Sequence, residues 1–180
     1  MAQKNMTKFH YLVHLVLYYI AWLVGIQLAA HGAELAGTII ILLIALLQIG
    51  WQFKVSTKNH GLFYLISILT LIGSLLDTIF MHAGIIRFSS NPFSPYFTAP
   101  WMIALWISFA ILLYSVLSNL LSRYLLMGLL AFAGFPIAYA SGVKMGAAFF
   151  PNGYLSCVII GIAWAICLPL CLSFYNRIIK

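Results

Sequence analysis

Chemistry in this chain has few places to start. Only Glu34 and Asp77 are acidic among 180 residues, and Asp77 lies inside a strongly apolar run. An ionised Asp at the centre of a bilayer costs about 2.5–3.5 kcal/mol. Asp77 is therefore expected to have polar partners on neighbouring helices, or to face water and bind a ligand or handle a proton. Ser67, Thr70 and Ser74 precede it at offsets that place all four side chains on one narrow stripe of a helix. Lipid cannot satisfy such a stripe, so it is expected to face other helices or a cavity. Gly73, four residues before Asp77, leaves room for the close approach of a neighbour.

Other polar residues fall at the same ends of their apolar runs. Gln27, His31 and Glu34 follow the first run, Asp77 and His82 close the third, and Arg87 comes next. Trp101 and Trp106 open the fourth, Tyr139 and Lys144 close the fifth, and Asn152 sits beyond it. Asp77, His82, Arg87, His31, Trp101, Trp106, Tyr139 and Lys144 are therefore the candidate residues of a polar pocket at one end of an apolar bundle. Ordinary interfacial polarity is the alternative. Asp77 and His82 stand about 140° apart on an ideal helix, so they are not a ready-made acid–base pair, and no catalytic residue is assigned.

His10 and His14 form HxxxH, a spacing that can hold a metal. Membrane di-iron desaturases share this local pattern but use many more histidines in several boxes, and this chain has five in all. The pair is read as facing solvent or lipid headgroups. Cys157, Cys167 and Cys171 all fall in the last apolar run and read as small buried hydrophobes. There is no Gly-rich phosphate loop and no nucleophile elbow. No metal and no cofactor is expected.

The elements that must position these residues are membrane helices. Hydrophobic residues make up 64% of the chain and charged ones 6%, against about a quarter charged in a soluble domain. A soluble enzyme, a disordered protein and a disulfide-stapled secreted domain are excluded. Six apolar runs are long enough to span a bilayer, at roughly 9–30, 37–53, 61–82, 100–121, 124–143 and 155–174. The first is too long for a signal-peptide core and reads as a retained span. The expected fold is a single all-α domain over residues 1–180, a bundle of six transmembrane helices. Lys4, Lys8, Lys54, Lys58, Arg123, Arg177 and Lys180 fall on one side and only Arg87 and Lys144 on the other. That asymmetry places both termini in the cytoplasm and the polar pocket outside. The basic residues sit singly at helix ends, so the net charge of +7 marks topology and anionic lipid and not nucleic acid.

Several local features carry expectations about packing. Ser108, Ser115, Asn119 and Ser122 share a face of the fourth span and read as serines bonded back to their own helix. Gly134, Ala138, Gly142 and Gly146 recur every fourth residue and predict a close helix contact. Pro136 and Pro169 are expected to kink their helices and free a carbonyl. The stretch from Arg87 to Ala99 holds Pro92 and Pro95 and reads as an interfacial loop, or as a lid over the pocket, bearing Phe88, Phe93, Tyr96 and Phe97. The two halves of the chain share no alignable repeat.

The segments AWLVGIQLAAHG from Ala21, GSLLDTIFMHAGIIRF from Gly73, APWMIALWISFAILLYSVL from Ala99 and FPIAYASGVKMGA from Phe135 resemble an uncharacterised family of small bacterial inner-membrane proteins. That family is classed as a domain of unknown function, and its genes often lie beside cyclopropane-fatty-acid synthase genes. The resemblance runs from about Tyr11 to Phe174, with Trp22, Gly32, Asp77, Pro100, Trp101, Trp106, Pro136, Tyr139 and Gly142 at the matching positions. It implies a multi-pass bacterial inner-membrane protein associated with lipid modification, without an assigned activity. The partners it suggests are the bilayer and a lipid or acyl-chain ligand, with the oligomeric state open. A small-solute or proton-coupled transporter and a membrane scaffold are the alternatives.

Overall fold

The computed structural model describes residues 2–56 and 59–179, with side chains from Lys8 onward. Lys58, Lys180 and the Lys4 side chain, all counted in the charge asymmetry, lie outside what is described. Six helices run in chain order: α1 (Ala2–Ala30), α2 (Glu34–Val55), α3 (Leu62–His82), α4 (Pro100–Val116), α5 (Tyr124–Lys144) and α6 (Tyr154–Ile178). Five of these are long and apolar enough to cross a membrane, and α4 is shorter at 17 residues.

The end of α4 departs from expectation. Its apolar pattern runs to Leu121, but the helix stops at Val116 and a single 3₁₀ turn, Ser118–Leu120, follows. Ser118 and Asn119 compete locally for backbone hydrogen bonds and disfavour helix continuation. At 1.5 Å per residue α4 spans about 25 Å, just under the hydrocarbon thickness.

Shortness suits the place of α4 in the bundle. Twelve of its 17 residues are buried, on every side of the helix. It packs against α1, α2 and α3 and forms the hub, while α5 and α6 pair closely and join the rest where α6 meets α3. A helix that is apolar all round belongs in a core. The other five show their outward faces to the surroundings, with Leu46, Leu71, Leu125 and Leu170 each more than half exposed. Those faces are satisfied only in hydrocarbon.

The α5–α6 contact is built on a short repeat that periodicity alone does not reveal. Gly128 precedes Pro136 by eight residues, and Gly161 precedes Pro169 by eight. A β-carbon at Gly161 would stand 2.8 Å from the Phe132 carbonyl oxygen, and one at Gly128 would stand 2.9 Å from that of Ala165. Those carbonyls lie four residues before Pro136 and Pro169, which lack the N–H to bond them. Each helix thus turns its freed carbonyl onto the other's glycine, where a Cα–H···O contact fits. The carbonyls expected to be freed are freed. The predicted Gly134 edge is not the contact: Gly134 is exposed with nothing near it, and Gly146 instead ends α5 at φ +89°.

At the end opposite the termini, β1 (Arg87–Phe88) pairs antiparallel with β2 (Ala148–Phe149). This pair ties the α3–α4 loop to the α5–α6 loop. Ser90 Oγ donates to the Glu34 carboxylate, fixing the same loop to the start of α2. The tip of the loop, with Phe93 and Tyr96, projects outward.

Candidate functional site

Asp77 is fully buried in the third helix. Trp106 Nε1 of α4 donates to its Oδ2 at 2.8 Å, and the Tyr139 hydroxyl of α5 donates to its Oδ1. Three helices therefore meet on one carboxyl group. Gly73 makes this possible: a β-carbon there would lie 2.4 Å from the Trp106 ring. The indole lies flat where that carbon would be, one turn from Asp77, and so brings its N–H to the acid.

An aromatic stack holds the indole from behind. Trp106 stacks on Trp164 with ring centroids 4.6 Å apart, and Trp164 stacks on Phe135 at 4.4 Å. Phe109 closes the group edge-on to both Trp106 and Phe135. Such pairs add about 0.5–1.5 kcal/mol each beyond burial and leave the indole little rotational freedom.

Beside this group lies a cavity of about 60 Å³, room for about two waters. Its wall includes Trp106 and Tyr139, with Trp101, Phe88 and Tyr18. Asp77 stands behind that wall, reached through its two donors. The side of the cavity nearest the loops is closed by Phe88 of β1 and Ala148 of β2, with Phe88 edge-on to Trp101 at 5.6 Å. The strand pair covers the cavity, whereas Phe93 and Tyr96 stand away from it.

A second and larger space adjoins the cavity. A groove of about 560 Å³ opens on the flank of the bundle between α1 and α5, with α4 as its floor. Tyr18, Trp22, Phe109, Phe135 and Ala138 line both groove and cavity, so the two lie side by side and share walls. Tyr19 and Ile137 stand exposed at the rims.

The remaining candidate residues stand apart from this site. His82, Arg87, His31 and Lys144 are exposed at the loop end and do not line the cavity. Arg87 lies over the Phe149 ring, and His31 Nδ1 is 2.7 Å from the Gln27 carbonyl. Of the eight residues grouped from sequence, the fold brings together Asp77, Trp101, Trp106 and Tyr139. The stripe below Asp77 also divides: Ser74 is buried, Thr70 half-buried and Ser67 exposed, so it does not continue as a buried polar path.

Sequence reasoning passed over a second polar layer nearer the termini. Gln48 and Gln52 of α2 are buried, and Ser108 and Ser115 of α4 donate to their side-chain carbonyls at 2.7 and 2.8 Å. The two serines thus bond across to α2, and not back to their own helix. Asn119 and Ser122 are exposed near the chain turn. Two glutamines one turn apart in an apolar run were the available signal. His10 and His14 belong to the same layer. They are buried, with rings 4.7 Å apart, where solvent or headgroup exposure is the sequence expectation. The α1 face that carries them packs on the α2 glutamines and away from the surroundings. Cys171 is buried, while Cys157 and Cys167 are half-buried, and all three are free thiols.

Five long apolar helices around an apolar sixth, with polar side chains turned inward, define a multi-pass membrane protein. Residues 11–170 match the model of the family described as protein of unknown function DUF2878, and the chain belongs to that family. No curated protein and no solved structure matches it.

Proposed function

We propose that this protein takes the acyl chain of a membrane lipid into the α1–α5 groove and sets the polar end of that lipid against Tyr139 and Trp106. The carrying observation is that a bilayer-facing apolar groove shares five lining residues with a cavity whose wall is hydrogen-bonded to a buried acid. Few enclosures suit an acyl chain better than one lined by Tyr18, Trp22, Phe109 and Phe135 and open sideways to hydrocarbon. The Trp106 N–H and the Tyr139 O–H are both given to Asp77, so the Tyr139 oxygen, which can still accept, is the polar atom that a hydroxyl on the lipid would meet there.

The role that follows is assistance in the modification of membrane fatty acids or phospholipids, in keeping with the likeness to a family encoded beside cyclopropane-fatty-acid synthase genes. The whole chain acts as one transmembrane unit of six crossings in the bacterial cytoplasmic membrane. Lys8, Lys54, Arg123 and Arg177 mark the cytoplasmic side. Arg87, Lys144 and His82 then face outward at headgroup level, where the two cations suit a lipid phosphate.

The test uses a fatty acid bearing a diazirine, incorporated into membranes that contain the protein. Crosslinks are expected on Tyr18, Trp22 or Phe135. Gly134→Phe, which fills the groove from an exposed position, is expected to reduce them several-fold. Labelling spread evenly over the outer faces, and unchanged by Gly134→Phe, would reject the proposal. In the host, Asp77→Asn and Tyr139→Phe are expected to reproduce the lipid profile of a deletion strain.

A further inference from the structure

The wall shared by groove and cavity holds two polar groups that no hydrogen bond uses. Tyr18 and Trp22 stand one turn apart on α1, are half-buried, and line both spaces. Neither the Tyr18 hydroxyl nor the Trp22 N–H has a hydrogen-bond partner among the described residues. Both remain reachable. The polar atoms sealed in the interior without a partner include the indole nitrogens of Trp101 and Trp164, but neither of these two.

The rest of the polar wall is committed. Trp106 and Tyr139 give their hydrogens to Asp77. The Tyr139 oxygen can still accept, although Trp164 approaches it as well. Tyr18 is then the one hydroxyl in the cavity wall with both roles unused. A phenol that can donate and accept, a donor at Trp22 and an acceptor at Tyr139 call for a group that also does both. A hydroxyl does, whereas an ester carbonyl or a double bond supplies no hydrogen. A phosphate or carboxylate would find no cation in the wall among the described residues, with the Asp77 carboxyl group behind it, at a large desolvation cost.

We propose that the chain drawn into the groove carries an uncharged hydroxyl, and that Tyr18 is the residue that selects it, with the Trp22 N–H and the Tyr139 oxygen as further partners. This rests on the reading of the groove as an acyl-chain site and names the class of lipid it takes. Such a hydroxyl comes from two sources: a free long-chain alcohol, or a hydroxyl borne on the acyl chain of a phospholipid.

The test uses the full chain in dioleoylphosphatidylcholine nanodiscs, with the diazirine fatty acid as the label and Phe135 as the crosslinked residue that is read. One arm competes the label with hexadecanol or hexadecane. The other replaces oleoyl chains of the disc lipid by ricinoleoyl chains, which differ by one hydroxyl. In at least one arm the hydroxylated competitor is expected to displace the label about three- to tenfold better than its plain counterpart, the worth of one hydrogen bond. The arm with the larger preference names the source. Tyr18→Phe, which keeps the ring against Phe109, is expected to abolish that preference and to leave the labelling itself and the competition by hexadecane unchanged. Tyr19→Phe, at the exposed rim, is expected to keep the preference. A Phe135 label that shows no hydroxyl preference in either arm, or a preference that survives Tyr18→Phe, overturns this inference alone. A label that never reaches Phe135 rejects the groove reading and this inference with it.

Discussion

Asp77 shows how a single buried acid is accommodated in this bundle. Its two donors come from different helices, and each is held by its own packing, Trp106 by the aromatic stack and Tyr139 by the cavity wall. A charge without such donors would be expelled or neutralised at that position. Tyr139→Phe leaves one carboxyl oxygen short of a donor and is expected to lower stability by about 1–3 kcal/mol. Thermal unfolding in detergent checks this. Gly73→Ala acts on the same bond from the other side, because the added methyl takes the place of the indole. It is expected to shift the tryptophan emission of the folded protein and to reduce the lipid effect as Asp77→Asn does. An unchanged emission spectrum would show that Trp106 does not rest on Gly73. Asp77 and Gly73 were both legible in sequence, as a lone intramembrane acid and a small residue one turn away. Trp106 and Tyr139 were legible only as members of a larger set, since nothing in a linear pattern says which aromatic side chains converge.

At the scale of elements, two kinds of helix contact divide the work. The α5–α6 pair meets backbone to backbone through Gly128 and Gly161, each set against the carbonyl that the opposite proline has freed. Gly128→Ala and Gly161→Ala are each expected to destabilise by about 1–3 kcal/mol, because a methyl group cannot occupy the space of a neighbouring carbonyl. Gly134→Ala is the contrast: with open space around it, it is expected to be neutral or slightly stabilising through helix propensity. Unfolding midpoints of the three variants in one detergent decide the comparison. The α2–α4 pair meets instead through two amide–hydroxyl bonds, Ser108 with Gln48 and Ser115 with Gln52. Gln48→Ala leaves the Ser108 hydroxyl unbonded in the core and is expected to cost about 1–3 kcal/mol. Gln48→Leu fills the space but leaves the same hydroxyl unpaired. Spacing in the sequence pointed to glycines 134 to 146 because period four is easily seen there. The operative pair recurs once on each of two helices, and only their antiparallel docking reveals the relation.

The molecule as a whole is a buried hub helix with five longer helices about it and two polar regions at its ends. α4 carries residues of both, Trp101 and Trp106 toward the loops and Ser108 and Ser115 toward the termini. The two regions differ in character. The loop-end cavity is small and mostly aromatic and shares walls with the groove, whereas the region toward the termini opens into a wide crevice that is, among the described residues, lined by many polar groups.

Composition and hydropathy alone determined that this chain lives in a membrane, roughly where its six helices lie, though not the early start of α1 at Ala2 or the early end of α4 at Val116, and that an acid is held inside one of them. These are properties of single segments, set by transfer free energies that add along the chain. Tertiary structure decided the rest. It chose Trp106 and Tyr139 from among the polar candidates, left His82 and Arg87 outside, buried His10 and His14, and opened a groove between α1 and α5. Each of those outcomes depends on how helices rotate and dock, and docking is fixed by contacts between residues far apart in sequence, which no one segment encodes.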